Sequence, residues 1–407
     1  MGFMSIGERP TAIEGGVEMG QNHKPNRPLG KARLIDKIRE AGLHPPETLT
    51  LMVTDGCNLS CRHCWLDCRS YERAVPVPAD AVVRVIDDFA RLGGTQVNLT
   101  GGEFLTHPDW CRILCFCCDH EALTQVCLQT NATLIAERHI KALLGLRLDK
   151  LIIQVSLDGA RARTHNLVRG PGSYTYAVAG LRSLVEAGLG KQTQINFTEM
   201  AHNFIELPEL LEMVDKMGLG RLISSTLVKG GRATASSHIN LPTPAQYWEL
   251  IHLYETDAFF RKLYDLKATV SAIEWFKSRS EPTSAGGCSC LKNLFADAQG
   301  HLYPCTMLQL DRFASESIYR RPLAQVIADA LAQWREIPIM SRQRASQVQL
   351  CARCADRQHC GGGCLGRAAT TRGELMDPED RCALRKAVYH WIQLPSVGSF
   401  CRSGHSR

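Results

Sequence analysis

Three cysteines near the start of the chain, Cys57, Cys61 and Cys64, form a C-x3-C-x2-C cluster. Thiolates are soft ligands that suit iron-sulfur clusters or zinc. A structural zinc site and an ordinary four-iron cluster both take four protein ligands. A set of three therefore predicts a metal centre with one coordination position open for chemistry.

A second group of cysteines lies in the last third of the chain, in the pattern C-x-C, then G-x4-C, then C-x2-C-x5-C-x3-C, then a final cysteine. Its members are Cys288, Cys290, Cys305, Cys351, Cys354, Cys360, Cys364 and Cys382. Eight thiols make two sets of four, the count for two fully ligated centres. Zinc is the alternative for every set, because C-x2-C pairs are common in zinc ribbons.

Seven of the 18 cysteines belong to neither group: Cys68, Cys111, Cys115, Cys117, Cys118, Cys127 and Cys401. Four of them lie on a predicted helix beside Ile113, Leu114 and Phe116, and free cysteine packs as a small hydrophobe. We expect packing there rather than ligation. Cys68 is a spare thiol near the first cluster with no role that the sequence requires.

Composition narrows the class of protein. The 407 residues carry a net charge of +6 with no Lys/Arg run, so we expect no nucleic-acid partner. The N-terminus has no signal-like apolar stretch, and no span is long enough for a transmembrane helix, so a cytoplasmic protein without a membrane partner is expected. A reducing compartment rarely stores disulfides, and metal ligation explains the cysteine count.

Strand-like and helix-like segments alternate after Thr48. The predicted strands are Leu49–Val53, Gln96–Thr100, Gln125–Leu128, Lys150–Ser156, Gln194–Phe197 and Leu222–Leu227. The predicted helices between them are Ala79–Leu92, Pro108–Cys118, Ile135–Leu144, Tyr174–Ala187 and Leu207–Met217. This order is typical of an α/β fold with parallel strands, and six units predict a partial (β/α)6 TIM-type barrel.

The segments outside that repeat suggest further units. We expect an N-terminal extension over 1–47, disordered from Met1 to Asn26 and helical from Lys31 to Ala41, then the barrel over 48–235. A helical bridge over 236–287 follows, with a cysteine-rich auxiliary domain poor in regular structure over 288–385 and a C-terminal helix and tail over 386–407. The three-cysteine cluster follows the first strand and Gly101-Gly102-Glu103 follows the second, so both face the carboxyl end of the barrel.

Together these motifs closely resemble the radical S-adenosylmethionine (SAM) superfamily, in its SPASM branch, from Thr48 to Cys382. The resemblance implies that Cys57, Cys61 and Cys64 hold a [4Fe-4S] cluster whose fourth iron binds SAM. It further implies contacts to SAM from the residues that match the family's motifs: His63 at the adenine, Gly101, Gly102 and Glu103 at the methionine ammonium, Ser156 and Asp158 at the ribose, Asn131 at the same rim, and Arg169 at the carboxylate. Phe104 stands where the family usually has proline.

Simpler interpretations of some of these residues remain open. Glu103 could be a solvated loop carboxylate, Ser156 and Asp158 could cap a turn or helix, and His165 is expected to be a structural residue of the rim rather than a base.

The resemblance also divides the eight later cysteines between two auxiliary [4Fe-4S] clusters. Cys288, Cys290, Cys305 and Cys364 correspond to the ligands of the first cluster. Cys351, Cys354, Cys360 and Cys382 correspond to those of the second. The ligands interleave along the chain, so metal would tie together a region with little core of its own.

Three functions follow as hypotheses. The first is a radical SAM enzyme that forms a 5'-deoxyadenosyl radical and modifies a peptide or small protein, for example by a crosslink, with a flavodoxin or ferredoxin as electron donor. Because only 56 residues precede Cys57, either a separate leader-recognition protein or direct docking of the precursor is expected. The second is tetrapyrrole side-chain modification or decarboxylation, and the third is a non-catalytic iron-sulfur scaffold or electron carrier. Sulfatase maturation is disfavoured, because Thr306 stands where those maturases have a catalytic aspartate.

Overall fold

The computed structural model describes residues 30–279 and 288–391. The disorder expected for Met1–Asn26, the predicted break at 281–287, most of the predicted C-terminal tail and Cys401 lie outside the described residues. The described part is an α/β structure built on one large sheet.

The strands, in chain order, are β1 Thr48–Met52, β2 Gly56–Cys57, β3 Arg69–Ser70, β4 Gln96–Thr100, β5 Gln125–Thr130, β6 Leu151–Ser156, β7 Thr193–Glu199, β8 Arg221–Thr226, β9 Ala268–Thr269, β10 Asn293–Ala296 and β11 Leu302–Tyr303. All six predicted strands are confirmed to within two residues at each end.

The helices are α1 Lys31–Glu40, α2 Ala79–Arg91, α3 Trp110–Asp119, α4 Glu137–Leu144, α5 Ala162–Arg169, α6 Ser173–Glu186, α7 Leu207–Lys216, α8 Pro244–Thr256, α9 Ala258–Lys267, α10 Ser271–Lys277, α11 Leu323–Trp334, α12 Glu336–Gln347, α13 Gln349–Ala352, α14 Arg357–Cys360, α15 Leu365–Arg372 and α16 Cys382–Tyr389. The predicted helices are present. Within the described residues, no helix is of a length and hydrophobicity that would let it span a membrane.

The main sheet has nine strands in the order β11-β10-β1-β4-β5-β6-β7-β8-β9. Neighbouring strands are parallel from β10 to β9, and only β11 is antiparallel. The six predicted strands form the centre of this sheet in sequential order, as successive right-handed crossovers require. Their carboxyl ends therefore share one edge.

Burial along the strands alternates, and it shows which face the helices cover. In β6, Leu151, Ile153 and Val155 are buried, whereas Ile152, Gln154 and Ser156 are half-buried. The α2 helix buries Val82, Val85, Ile86 and Phe89 against the apolar face, at the spacing of one helical stripe. The apolar core thus lies between sheet and helices, and the other face is the concave interior.

The cysteine-rich region contributes more regular structure than its sequence predicts. Its β10 pairs with β1, so the region extends the main sheet, and α11 and α12 are each 12 residues long. The expectation of a region poor in regular structure is therefore wrong. The β10 strand has only four residues, too few for a recognisable pattern in the sequence. It forms because it pairs with β1, about 245 residues away in the chain, so its formation depends on tertiary contacts.

Candidate active site

The three-cysteine loop lies at the carboxyl end of β1, where β2 and β3 form a small parallel ladder. The structure brings the three thiols together, with Cys61 buried and Cys57 and Cys64 half-buried. The amide N–H of Leu59 donates a hydrogen bond to Cys57 Sγ (3.4 Å). Backbone donors to sulfur stabilise a thiolate ligand, and the assignment of the three cysteines as cluster ligands stays a prediction.

The thiols lie close enough to one another to affect each other's ionisation. Burial raises the pKa of Cys57 to about 12, and the nearby Glu103, Cys61 and Cys64 raise it further. Burial raises the pKa of Cys61 as well, while Arg169 lowers it. Ligating irons would supply the positive charge that lets neighbouring thiolates coexist. Within residues 30–279 and 288–391, no group of three or more His, Cys, Asp or Glu side chains is arranged to hold a single metal ion.

The Gly101-Gly102-Glu103 segment packs directly against the cluster loop. The amide of Gly102 donates to Thr54 O (3.0 Å) and that of Glu103 donates to Gly56 O (2.8 Å). A Cβ atom on Gly102 would lie 2.3 Å from Gly56 O and 2.8 Å from Cys57 Cβ. Glycine is required here because two backbone segments touch.

Glu103 is a buried structural centre rather than a solvated loop carboxylate, since it is 2% exposed. Its Oε1 accepts hydrogen bonds from Leu105 N (3.1 Å) and Thr130 Oγ1 (2.7 Å), and its Oε2 accepts one from Asn131 N (2.7 Å). Burial raises its pKa. Phe104, in the place of the usual proline, is fully buried and begins a 3-10 turn capped by Glu103.

Asn131 carries this network back to the cluster loop. Its Nδ2 donates to Asn58 Oδ1 (2.9 Å), and Asn58 Nδ2 donates to Thr133 Oγ1 (2.8 Å). Asn58 directly follows Cys57 in the chain. The carboxyl ends of β1, β4 and β5 are therefore joined by hydrogen bonds around the candidate cluster site.

Asp158 lies at the centre of a second buried network, past the end of β6. Its Oδ2 accepts a hydrogen bond from Arg169 Nε (2.6 Å) and lies 3.3 Å from His63 Nε2, and its Oδ1 accepts one from Thr198 N (2.8 Å). Burial alone would raise the pKa of Asp158, but Arg169 and His63 hold it well below its usual range. The predicted ribose contacts of Asp158 and Ser156 remain predictions; the observed role of Asp158 is to fix Arg169 beside the cluster loop.

Burial shifts the pKa of both histidines of this network below the ordinary value. Burial lowers the pKa of His63 to about 4, and its Nδ1 is buried with no partner among the described residues. Burial lowers the pKa of His165 to about 3, and its Nδ1 accepts a hydrogen bond from Asp158 N (3.1 Å). An orphaned ring nitrogen at His63 leaves one polar position for a ligand at this rim.

Arg232, after β8, was not singled out by the sequence. Its amide donates to Cys64 O (3.0 Å), and its side chain donates to Cys61 O (3.0 Å), Cys68 O (2.7 Å) and Asp67 Oδ1 (3.0 Å). One residue thus holds four points of the cluster loop. The nearest sequence signal is the preceding Gly230-Gly231, since a Cβ on Gly231 would lie 2.6 Å from Trp65 O and 2.8 Å from Cys64 O.

Cys68 lies beside two of the three predicted cluster ligands, near the first cluster as expected. It is 7% exposed and packs with Met52, Phe295 and Tyr303 beside Cys57 and Cys64. A hydrogen bond from Cys68 lowers the pKa of the Cys64 thiol to about 5. The site therefore has a fourth thiol beside the predicted ligands.

Contacts link members of each of the two ligand sets that the resemblance implied. Cys290 hydrogen bonds with Cys288 and Cys305, and Cys305 acts electrostatically on Cys364. Cys351, Cys354, Cys360 and Cys382 line one cavity together with Arg385 and Lys386. Cys364 also lies near the second set, because it acts on Arg344 together with Cys351 and Cys360, and the division of the eight thiols between two clusters stays a prediction.

Arg367 joins the auxiliary region to the barrel. Its guanidinium pairs with Asp380 through Nε (2.9 Å) and Nη2 (2.8 Å), and donates to the carbonyl oxygens of Thr226 (3.3 Å) and Leu227 (2.5 Å). This arginine is 3% exposed. The α15 helix, which directly follows Cys364, is thereby held at the end of β8.

The remaining described cysteines differ in burial. Cys117, Cys118 and Cys127 are buried in the fold, as expected for packing residues, whereas Cys111 and Cys115 are half-buried on α3. Cys115 Sγ donates to Asp119 Oδ2 (3.4 Å). None of these five is in contact with the cysteine groups described above.

The fold and the three-thiol site define the class: residues 51–214 match the family described as the Radical SAM superfamily. These residues form a Radical SAM domain, and its similarity to maturases indicates that the chain is an enzyme. A domain of this family implies a [4Fe-4S] cluster and SAM as cofactors.

Similarity to known proteins extends over most of the chain. The chain is 27% identical to the AdoMet-dependent heme synthase of Methanosarcina barkeri, over 84% of this chain and 97% of that protein. It is 28% identical to the mycofactocin maturase MftC of Mycobacterium ulcerans, over 86% of this chain and 91% of that protein. Streptococcus suis SuiB bound to S-adenosylmethionine has a similar fold, with a TM-score of 0.65 at 17% identity, over 86% of this chain and 80% of SuiB. A structure of SuiB bound to its precursor peptide SuiA is similar as well.

Proposed function

We propose that this enzyme cleaves SAM reductively at the Cys57, Cys61 and Cys64 site and modifies a peptide or small protein, by a crosslink or another radical-derived change. The observation that carries the proposal is the joining of the three-thiol loop to Gly101-Gly102-Glu103 through Gly56 O. A motif that supplies three thiols beside this glycine-glutamate segment suits a metal centre whose last ligand comes from a bound cofactor. The mycofactocin maturase, similar over 86% of the chain, supports a peptide substrate.

The chain's own residues would hold the cofactors as follows. Cys57, Cys61 and Cys64 would ligate the [4Fe-4S] cluster, and Arg232 and Arg169 would surround it with positive charge. When bound, cluster and SAM supply a 5'-deoxyadenosyl radical that abstracts a hydrogen atom from the substrate.

The SAM contacts follow from the same rim. Arg169, whose orientation Asp158 fixes, is placed to pair with the SAM carboxylate, and the orphaned Nδ1 of His63 is available near the adenine. Ser156 ends β6 on the concave face, suited to a ribose hydroxyl. Glu103 and Asn131 keep the glycine segment in place for the methionine ammonium.

The auxiliary region, over 288–385, would carry two further [4Fe-4S] clusters. The first would be held by Cys288, Cys290, Cys305 and Cys364, and the second by Cys351, Cys354, Cys360 and Cys382. The cavity that the second set lines contains Arg385 and Lys386, cations suited to an anionic cluster. The barrel over 48–235 and the helical bridge over 236–287 complete the proposed domains.

Two partners are proposed besides the substrate. A flavodoxin or ferredoxin would supply the electron for SAM cleavage, and a separate protein would recognise the leader of the precursor peptide. Both are identified by chemistry: a low-potential one-electron donor and a binder of an extended peptide.

Tetrapyrrole side-chain modification is the second candidate, and the 27% identity to the M. barkeri heme synthase favours it. The two candidates differ in the molecule that stimulates deoxyadenosine release. Short precursor peptides encoded beside the gene would do so under the first proposal, and a carboxylated porphyrin under the second.

The test combines anaerobic iron counting, SAM cleavage and mass spectrometry of those peptides. The wild type should hold about twelve irons per chain in three four-iron clusters, and Cys61→Ala should hold about eight and lose SAM cleavage. Cys118→Ala, a buried cysteine outside the three groups, is the matched control and should keep the iron content. Unmodified peptides throughout would exclude the peptide substrate.

A further inference from the structure

One arginine of the auxiliary region is completely buried, and no carboxylate in the described part of the chain forms an ion pair with it. Arg344, on the inward face of α12, is 0% exposed. Its guanidinium donates to three carbonyl oxygens: Nε to Gly362 O (2.9 Å), Nη1 to Leu375 O and Nη2 to Asp377 O (2.8 Å). Carbonyl groups satisfy the N–H donors but leave the charge of the guanidinium unbalanced. Because a buried charge without a counter-ion is costly, this arrangement indicates an anionic group close to Arg344.

Three of the later thiols lie within electrostatic reach of Arg344. Burial lowers the pKa of its guanidinium, while the thiols of Cys351, Cys360 and Cys364 raise it. Gly362, which accepts a hydrogen bond from the arginine, lies between Cys360 and Cys364 in the chain. A Cβ atom on Gly362 would lie 2.6 Å from Arg344 Cβ. The backbone that carries these two thiols is therefore packed directly against the arginine.

Glu379 also acts on Arg344, but its carboxylate is already paired with two other arginines. It pairs with Arg381 (3.0 Å) and Arg385, and it accepts a hydrogen bond from Cys364 N (3.0 Å). One carboxylate thus serves three guanidinium groups, and positive charge is left in excess. Thiolates that hold an iron-sulfur core carry a net negative charge, so the residues present fit such a group here.

We propose that Arg344 is the buried counter-ion of the auxiliary clusters and that its charge raises their reduction potential. Reduction adds negative charge to a cluster, and a fixed cation nearby stabilises that charge in an interior of low dielectric constant. Arg344 thus acts through its charge and is not a ligand. The inference rests on the auxiliary clusters of the proposed function. It holds whichever way the eight thiols are divided, because Arg344 acts on thiols of both predicted sets.

The experiment is a redox titration of the full-length, reconstituted enzyme under anaerobic conditions, followed by electron paramagnetic resonance. Signals that SAM does not alter belong to the auxiliary clusters. Arg344→Gln removes the charge, and the equilibrium constant for reduction of at least one auxiliary cluster should fall about tenfold, a shift of about 59 mV to lower potential. Arg344→Lys keeps the charge but loses the planar guanidinium fork, and its potentials should stay close to those of the wild type.

A matched control lies on the same helix. Arg342, two residues away, is exposed, so Arg342→Gln removes an equal charge where water and salt screen it and should shift no potential. Iron content reports cluster loading in every variant. Loss of the auxiliary irons in Arg344→Gln but not in Arg344→Lys would also support the inference, because charge would then be the property required. Equal iron loss in both variants would assign the effect to the hydrogen bonds of the fork and overturn the inference.

The remaining outcomes separate this inference from the proposed function. Unchanged potentials in Arg344→Gln, or an equal shift in Arg344→Lys or in Arg342→Gln, would overturn the role of Arg344 and leave SAM cleavage and peptide modification standing. Iron for only one cluster in the wild type, or zinc in the auxiliary region, would overturn the auxiliary clusters and the inference together. The expected shifts in an enzyme that modifies no peptide would support the counter-ion and remove only the proposed substrate.

Discussion

The buried ion pair between Asp158 and Arg169 gives the most direct test of how the site is held. Arg169 Nε donates to Asp158 Oδ2 (2.6 Å), and the two side chains are 9% and 0% exposed. Asp158→Asn keeps the volume and leaves Oδ1 to accept from Thr198 N. It places an amide opposite the guanidinium and leaves Arg169 buried without its counter-ion.

The expected cost follows from that geometry. Removal of one partner of a buried pair typically destabilises by about 3–5 kcal/mol. For a domain of barrel size this corresponds to a loss of roughly 10 °C in Tm. Differential scanning fluorimetry of the anaerobic, reconstituted enzyme measures the shift. Because Arg169 is proposed to bind the SAM carboxylate, the affinity for SAM by equilibrium dialysis should fall as well.

The pH dependence has a defined sign. The folded-state pKa of Asp158 lies below its unfolded value, since Arg169 and His63 outweigh the effect of burial. Its stabilisation is therefore complete above the ordinary carboxyl pKa of about 4 and is lost only as the pH falls below it. The Tm difference between wild type and Asp158→Asn should be constant from pH 8 to pH 5.

Two further variants test whether burial of the Asp158–Arg169 pair causes the loss of stability. Glu209→Gln breaks the exposed Arg161–Glu209 pair, also 2.6 Å long but about half exposed on both sides, and should leave Tm unchanged within error. The double variant Asp158→Asn/Arg169→Met should be more stable than Asp158→Asn, because no charge remains buried alone. Equal Tm losses at the buried and exposed pairs, or additive losses in the double variant, would refute the reasoning.

Three further predictions concern other parts of the molecule. Gly102→Ala should displace the cluster loop, because the added Cβ would meet Gly56 O at 2.3 Å. The rate of SAM cleavage should fall about tenfold or more. An electron paramagnetic resonance signal in the presence of SAM that is the same as in the wild type would contradict the displacement. Arg367→Met removes the hydrogen bonds to β8 and leaves Asp380 without its partner. Amide hydrogen exchange in α15 should become faster, by an amount that corresponds to a loss of about 3–5 kcal/mol in local stability. Unchanged exchange rates would contradict the role of Arg367 in joining α15 to the barrel. Cys117→Ala should destabilise by about 1 kcal/mol, as expected for a small buried group, without loss of iron, and iron loss would assign it to a cluster.

The sequence predicted the six central strands because each combines a short apolar or alternating run with a nearby glycine or charged end. These signals are local, and the structure confirms them for Gln96–Thr100 to the residue. The strands β9 and β10 were missed because two to four residues carry no usable period. Their pairing with β8 and β1 supplies the order that their own sequences lack.

For the candidate site, too, some features follow from the sequence and others only from the tertiary structure. Cysteine spacing, two glycines and one glutamate determine the kind of metal centre and its place at the strand ends, because ligand type and number depend on residue identity and short-range spacing. Only the tertiary structure decided that Arg232 holds the cluster loop and that Asp158 fixes Arg169. Arg232 contacts residues up to about 170 positions away in the chain, and distances between such side chains depend on how the strands and helices pack, which no local pattern in the sequence specifies.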